Sequence, residues 1–181
     1  MIDAVTTRLK RWARAATGGG RVWPELLLIA VVVIAVRWYQ TRDLLPADAA
    51  AAPPFRLQAL SGEFVDLADL RGRPTLVYFF APWCTVCKTS IDNLDDLVDS
   101  GAVAWGTAVA LDYESAAEVS EFVEETGISL PVLMGDGRTA ADWSIRGYPT
   151  YYVIDAEGRI HSRSVGYSTK LGMRWRAWRA R

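Results

Sequence analysis

The feature that most limits what this chain can fold into is an apolar strand that leads directly into a pair of cysteines. Residues 74–81 read PTLVYFFA, a continuous apolar run that is typical of a strand buried on both faces. Cys84 and Cys87 follow within six residues, and residues 85–98 have the apolar spacing of an amphipathic helix. A buried strand joined by a tight connection to a helix is the building unit of an α/β sheet.

Strand and helix patterns alternate along the rest of the chain, and no internal repeat interrupts them. The predicted strands cover 55–57, 63–65, 74–81, 103–111, 130–134, 150–155 and 160–165, and the predicted helices cover 85–98, 115–125, 140–145 and 168–181. The last two strands flank the turn 156–159, which is a hairpin signal. This order predicts an α/β fold with a mixed central sheet and helices on both faces.

A second apolar segment lies near the N-terminus. Residues 26–36 are uninterrupted apolar residues, and the stretch 22–39 has tryptophan and tyrosine at its ends. As a helix it is about 27 Å long, enough to span a bilayer, and the aromatic residues fit the membrane interfaces. A cleaved signal peptide and a buried core helix are the alternatives. The small-x-small site at 47–49 lies too far beyond the apolar run for signal peptidase, which favours an uncleaved anchor.

Charge divides the chain into segments of opposite sign. Residues 1–42 have a net charge of +5, residues 43–169 of −11, and residues 170–181 of +5. The acidic middle segment makes a nucleic-acid partner improbable. The five basic residues before the apolar run predict a cytoplasmic N-terminus. We therefore predict a cytoplasmic segment 1–21, a transmembrane anchor 22–39, an Ala/Pro-rich tether 40–54 and a folded domain 55–181.

The C-terminal segment carries an apolar stripe within its basic surroundings. Leu171, Trp175 and Trp178 share one helical face. We expect this stripe to pack against the sheet. Contact with anionic lipid is the alternative.

The two cysteines have the spacing of a redox pair. Three residues apart on a helix, their sulfur atoms lie within reach of a disulfide. Cys84 lies at the helix N-terminus, where the dipole lowers a thiol pKa. This predicts Cys84 as the nucleophile and Cys87 as the resolving thiol. A stapling disulfide, two core cysteines, or a Cu(I) site are the alternatives. We expect no cofactor other than the Cys84–Cys87 disulfide and no bound metal.

Two blocks of sequence resemble thioredoxin. Residues 75–88, TLVYFFAPWCTVCK, resemble its active-site strand and helix. Residues 146–150, RGYPT, and the following hairpin resemble its cis-proline strand, and Gly166 matches the glycine before its last helix. With the anchor and tether, the chain resembles the membrane-anchored bacterial thioredoxin-like proteins related to TlpA and ResA. Residues 166–178 look most like the suppressor-of-copper-sensitivity D proteins, a group of protein disulfide oxidoreductases.

The resemblance implies a thioredoxin fold and a set of roles. Pro149 corresponds to the cis-proline that faces the disulfide, and Tyr148 offers its backbone to a substrate strand. Trp83 shields the cysteine pair, although ordinary core packing also accounts for a tryptophan there. The implied location is the bacterial inner membrane, with the catalytic domain in the periplasm. The implied partners are proteins with thiols or disulfides and a transmembrane electron donor.

The chain departs from the resemblance where a proton acceptor is expected. Thioredoxin's buried carboxylate falls at Tyr78, and the glutamate of cytochrome-maturation relatives falls at Ser90. Asp92 and Asp112 are weaker candidates. The residues Thr85 and Val86 between the cysteines include no histidine to stabilise the thiolate, which favours a reductase. A periplasmic oxidant and a non-catalytic copper- or partner-binding module are the alternatives.

Overall fold

The computed structural model describes residues 22–47, 50–101 and 103–180, and the predicted cytoplasmic segment 1–21 lies outside them. The helices are α1 (Val22–Thr41), α2 (Thr85–Lys88), α3 (Asp92–Asp99), α4 (Ala116–Thr126), α5 (Gly137–Asp142) and α6 (Lys170–Arg179), with a 3-10 helix at Leu67–Leu70. The strands are β1 (Arg56–Ala59), β2 (Phe64–Asp66), β3 (Thr75–Phe80), β4 (Trp105–Ala110), β5 (Val132–Met134), β6 (Thr150–Ile154) and β7 (Ile160–Val165). The chain divides after Arg42 into two units.

The first unit contains α1, a single apolar helix of 20 residues. Its segment Trp23–Thr41 is, within the described residues, the one helix long and apolar enough to cross a membrane. At 1.5 Å per residue α1 is about 30 Å long, the thickness of a hydrocarbon core. None of the Trp23–Thr41 segment is buried, which argues against the alternative of a core helix.

The second unit is built on one seven-stranded sheet in the order β2-β1-β5-β4-β3-β6-β7. The central strands β3, β4 and β5 run parallel to one another, while β6 and β7 on one side and β1 and β2 on the other are antiparallel to their neighbours. Every residue of β3 is buried, as the continuous apolar run 74–81 predicts. The predicted α/β fold with a mixed central sheet is confirmed.

The alternation of side chains along the strands creates a core on each face of the sheet. One core takes Tyr78 and Phe80 from β3 and packs them under α2, α3, α4 and α6. The other takes Val77 and Phe79 from the same strand and packs them against Trp143, which follows α5. The strand before the cysteines is therefore fixed from both sides.

The helix predicted over 85–98 is two helices, because a turn at residues 89–91 separates α2 from α3. The Ser90 hydroxyl donates to the carbonyl of Val86 at 2.7 Å, and the Thr89 hydroxyl donates to the same carbonyl at 3.0 Å. Serine and threonine that bond back to the preceding turn bend helices. The hydroxyls of these two residues therefore account for the break one turn after Cys87.

The helix predicted over 140–145 begins three residues earlier, at Gly137. Asp136 is its N-cap and accepts a hydrogen bond from the backbone N–H of Thr139 at 2.7 Å. Aspartate is among the strongest N-cap residues. This cap, and not the apolar spacing of the following residues, sets where α5 begins.

Part of the segment predicted to be an extended tether is packed against the folded domain. Leu44 is buried, and the Arg163 guanidinium donates to its carbonyl at 2.8 Å. Further along, the carbonyl of Ala50 accepts from the backbone N–H of Ile160, and the N–H of Ala52 donates to Gly158. Residues 50–52 thus lie beside the start of β7, where Ala51 and Arg159 form an isolated antiparallel β-bridge.

The expectation that Leu171, Trp175 and Trp178 pack against the sheet is wrong. These side chains are 78%, 57% and 66% exposed. The opposite face of α6 packs instead, through Met173 and Ala177. Small residues such as alanine let helices approach closely, and α6 lies against α3.

Candidate active site

The register of the sheet places the predicted site residues at one end of the central strands. Phe80 at the end of β3 pairs with Ala110 at the end of β4, and both strands run in the same direction. β6 runs the other way, so its first residue, Thr150, pairs with Phe79. Three segments therefore meet at the same end of the sheet: the one after β3, the one after β4 and the one before β6. They carry the cysteines, Asp112 and Pro149 respectively.

Cys84 and Cys87 form a disulfide, and their Cα atoms are 5.2 Å apart. Cys84 is the N-cap of α2, and its Sγ accepts a hydrogen bond from the Cys87 backbone N–H at 3.1 Å. Cys84 is 6% exposed and Cys87 is fully buried. An N–H group directed at the sulfur favours a thiolate there once the disulfide is reduced.

Pro149 follows a cis peptide bond with Tyr148, in agreement with the resemblance to thioredoxin. Pro149 is buried, and its carbonyl accepts from the N–H of Gly166 at 2.8 Å. In the part of the chain that the structure describes, no hydrogen bond involves the backbone N–H or C=O of Tyr148. These groups have the chemistry that pairs with an incoming strand.

Trp83 stands at the rim of the site and is 60% exposed. Its indole N–H donates to the backbone carbonyl of Asp112 at 3.1 Å, and its ring meets that of Tyr148 edge to face, with centroids 5.7 Å apart. Trp83, which lies in the loop after β3, therefore contacts both the loop after β4 and the segment before β6. It is not an ordinary core residue. Thr85 and Val86 are also exposed.

The surface beside Tyr148 is acidic. A cavity of about 430 Å³ opens there, and its lining includes Asp112, Tyr113, Asp136 and Tyr148. Burial, and secondly the Asp112 carboxylate, raise the pKa of the Tyr148 phenol. Burial and the Asp136 carboxylate do the same for the pKa of Tyr113. Both phenols are therefore neutral hydrogen-bonding groups at physiological pH.

Tyr78 and Ser90, the two positions where the resemblance to thioredoxin-like proteins implies a carboxylate, contact each other. The Tyr78 hydroxyl and the Ser90 hydroxyl are 2.8 Å apart in a buried hydrogen bond. Burial raises the pKa of Tyr78 far above its ordinary value, although the Ser90 hydroxyl opposes this. We therefore expect Tyr78 to stay protonated at neutral pH and to take up no proton from Cys87. Asp92, a weaker candidate, is exposed at the start of α3.

The sequence predicts most of the residues of this site but not two of the contacts between them. The resemblance indicates that Tyr78 and Ser90 each replace a carboxylate, but the sequence does not predict the hydrogen bond between them. Asp112 contacts Trp83 through its backbone carbonyl, while its carboxylate helps to raise the pKa of Tyr148. The residue has a positive φ of 52°. Aspartate tolerates this left-handed conformation better than most residues, which is the one local signal for the turn after β4.

Comparison with known proteins agrees with the fold and the cysteine pair. Residues 49–163 match the AhpC/TSA family. The thioredoxin-like protein YneN of Bacillus subtilis is 30% identical over 160 residues, covering 83% of this chain and 94% of that protein. The thiol:disulfide interchange protein DsbE of Pseudomonas fluorescens is 30% identical over 153 residues, covering 80% of this chain and 85% of that protein.

A solved structure shows the same architecture. The crystal structure of a thiol:disulfide interchange protein of the thioredoxin family from Chlorobium tepidum has a TM-score of 0.66 and 26% identity. It aligns with 75% of this chain and 99% of that one. The closer likeness to the suppressor-of-copper-sensitivity D proteins stays a prediction. The chain belongs to the AhpC/TSA family and, within it, to the thioredoxin-like thiol-disulfide oxidoreductases.

Proposed function

We propose that this protein is a membrane-anchored reductase of protein disulfides in the bacterial periplasm. Its redox group is the Cys84–Cys87 pair, with no further cofactor. The observation that carries the proposal is the difference between the two cysteines. Cys84 lies at the N-terminus of α2 and is 6% exposed, while Cys87 is fully buried. A substrate disulfide therefore meets Cys84 first.

The reaction is two successive thiol–disulfide exchanges. The Cys84 thiolate attacks one sulfur of the substrate disulfide, forms a mixed disulfide and releases the other substrate sulfur as a thiolate. The Cys87 thiolate then attacks the Cys84 Sγ, which breaks the mixed disulfide and releases the second substrate thiolate. The substrate gains two electrons, and its two thiolates take up two protons, equal in number to those that the Cys84 and Cys87 thiols lost on ionisation. The protein is left with the Cys84–Cys87 disulfide.

The residues around the pair support binding of an extended substrate segment. The backbone of Tyr148, beside the cis peptide bond to Pro149, offers one N–H and one C=O for strand pairing. Trp83 adds an exposed apolar surface next to Tyr148. We assign substrate binding to these three residues, and tuning of the redox potential to Thr85 and Val86 between the cysteines.

The roles of the two cysteines are tested by trapping. Cys87→Ser should accumulate mixed disulfides with partner proteins, because the attacking thiol remains and the resolving thiol is gone. The matched Cys84→Ser variant should accumulate none. The adducts appear as reductant-sensitive bands after acid quenching and alkylation. Equal trapping by both variants would contradict the role assignment.

The direction of electron flow is tested by the redox state of the pair in cells. Acid quenching followed by alkylation with a bulky maleimide separates the reduced from the oxidised form on a gel. Because the periplasm is kept oxidising, a mainly reduced pair requires a donor, for which we propose a transmembrane thiol transporter. A mainly oxidised pair would favour a dithiol oxidant and would count against the reductase.

The anchor is assigned to α1 on its length and exposed apolar surface. The excess of basic residues before α1 supports a cytoplasmic N-terminus and a periplasmic domain. A non-catalytic copper-binding module is the competing function, since two thiolates suit Cu(I). Insulin reduction separates the two functions: a reductase turns over with an added dithiol, whereas a binding module shows no turnover and retains Cu(I).

A further inference from the structure

Helix α6 has two apolar faces, and the fold buries only one of them. Met173 and Ala177 pack into the core. Leu171, Trp175 and Trp178 lie on the other face and are more than half exposed. Large apolar side chains that share one exposed face mark a surface with a partner. Sheet packing, which we expected for this stripe, does not explain it.

Basic side chains surround the exposed stripe. Arg174 and Arg179 are exposed on α6, and the Arg179 guanidinium lies 4.9 Å from the centroid of the Trp175 ring. Residues 170–181 have a net charge of +5, whereas residues 43–169 have a net charge of −11. An acidic partner is therefore attracted to α6 and repelled by most of the remaining domain surface.

We propose that α6 lies on the surface of an anionic lipid bilayer, with Leu171, Trp175 and Trp178 inserted at the level of the headgroups. Tryptophan and leucine on one face with arginine and lysine beside them is the pattern of an interfacial helix. Tryptophan favours the membrane interface because one part of its ring system is apolar and its N–H is polar. The same side chains on a helix far from a membrane favour aggregation.

The inference rests on the proposed membrane anchor, because an anchored domain meets the bilayer at high effective concentration. The last residue of α1 is Thr41, and Leu44 is already packed in the folded domain. Only Arg42 and Asp43 lie between them. A weak interfacial contact by α6 is therefore sufficient, since the anchor has already removed most of the entropy cost of association.

The test uses the full chain, with the Cys84–Cys87 disulfide intact, in vesicles of phosphatidylcholine with or without phosphatidylglycerol. Leu171→Cys carries an environment-sensitive fluorophore, and Glu121→Cys, an exposed residue of α4, carries the same fluorophore as the matched control. Quenching by nitroxide-labelled lipid reports contact with the bilayer. We expect at least about twofold stronger quenching at residue 171 than at residue 121, and only with the anionic lipid.

Two charge-removing substitutions complete the design. Arg174→Gln with Arg179→Gln should reduce the quenching at residue 171 towards the level of the control, and so should high salt. Equal quenching at residues 171 and 121 would overturn the inference and leave a protein partner for α6. Equal quenching in both lipids would overturn the choice of an anionic surface. A chain that fails to float with the vesicles would overturn the anchor itself.

Discussion

The buried hydrogen bond between Tyr78 and Ser90 predicts that removing its two partners has unequal costs. In Tyr78→Phe, the Ser90 hydroxyl still donates to the Val86 carbonyl at 2.7 Å. In Ser90→Ala, the fully buried Tyr78 hydroxyl loses the partner that the structure gives it. Leaving a buried polar group without a partner lowers the free energy of unfolding more than removing a hydrogen bond that leaves no unsatisfied group behind. Ser90→Ala should therefore be the more destabilising substitution.

The magnitudes follow from the two situations. Tyr78→Phe should lower the free energy of unfolding by about 1 kcal/mol, the net value of one hydrogen bond. Ser90→Ala should lower it by about 2 kcal/mol, the desolvation cost of an unpaired hydroxyl. In the presence of Tyr78→Phe, Ser90→Ala should cost only about 0.5 kcal/mol, because no phenol remains to be satisfied. The double variant is then more stable than Ser90→Ala alone.

Urea-induced unfolding of oxidised residues 43–181, followed by tryptophan fluorescence, measures these differences in a double-mutant cycle. This fragment contains both cores. Thr89→Ala is the matched control, because Thr89 also donates to the Val86 carbonyl but is exposed. It should cost less than about 0.5 kcal/mol. Strictly additive costs, or a smaller cost for Ser90→Ala than for Tyr78→Phe, would refute the reasoning.

Two further predictions concern proton transfer and pH. Burial raises the pKa of Tyr78, so Tyr78→Phe should leave the rate of mixed-disulfide resolution at neutral pH within about fivefold of wild type, as rapid-quench trapping measures it. A loss of about a hundredfold or more would make Tyr78 a proton acceptor. Hydrogen bonds from Thr139 lower the pKa of Asp136 from its ordinary value. Asp136→Ala should therefore cost about 1 kcal/mol at neutral pH, and this cost should shrink in urea titrations as the pH falls through the lowered pKa. Asp136→Asn keeps the cap and should cost little.

The parts of the fold that the sequence predicts well are those where local and global preferences agree. The run 74–81 is apolar on both faces, so it identifies β3 without knowledge of its neighbours. Cys84 and Cys87 follow from their spacing. The cis bond before Pro149 was available only through the resemblance to thioredoxin, because the residues themselves do not distinguish cis from trans proline.

The parts that the sequence predicts poorly depend on contacts between distant residues. The C-terminal segment has two faces with helical spacing, and the more apolar one, at Leu171, Trp175 and Trp178, is exposed. The face that carries Ala177 is buried instead, and α6 lies against α3. Similarly, an Ala/Pro-rich composition predicts an extended tether, while the pairing of Ala50 with Ile160 depends on where the last hairpin lies.

The two edges of the sheet bear on how copies of this protein coexist. Unpaired edge strands invite pairing with the edge of another molecule, and the proposed membrane anchor would confine all copies to one plane. The edge strand β2 has only three residues, which gives an approaching strand little to pair with. At the other edge, the pairing of residues 50–52 beside the start of β7 occupies backbone groups that are otherwise open. The segment that leads into the domain thus also works against edge-to-edge aggregation.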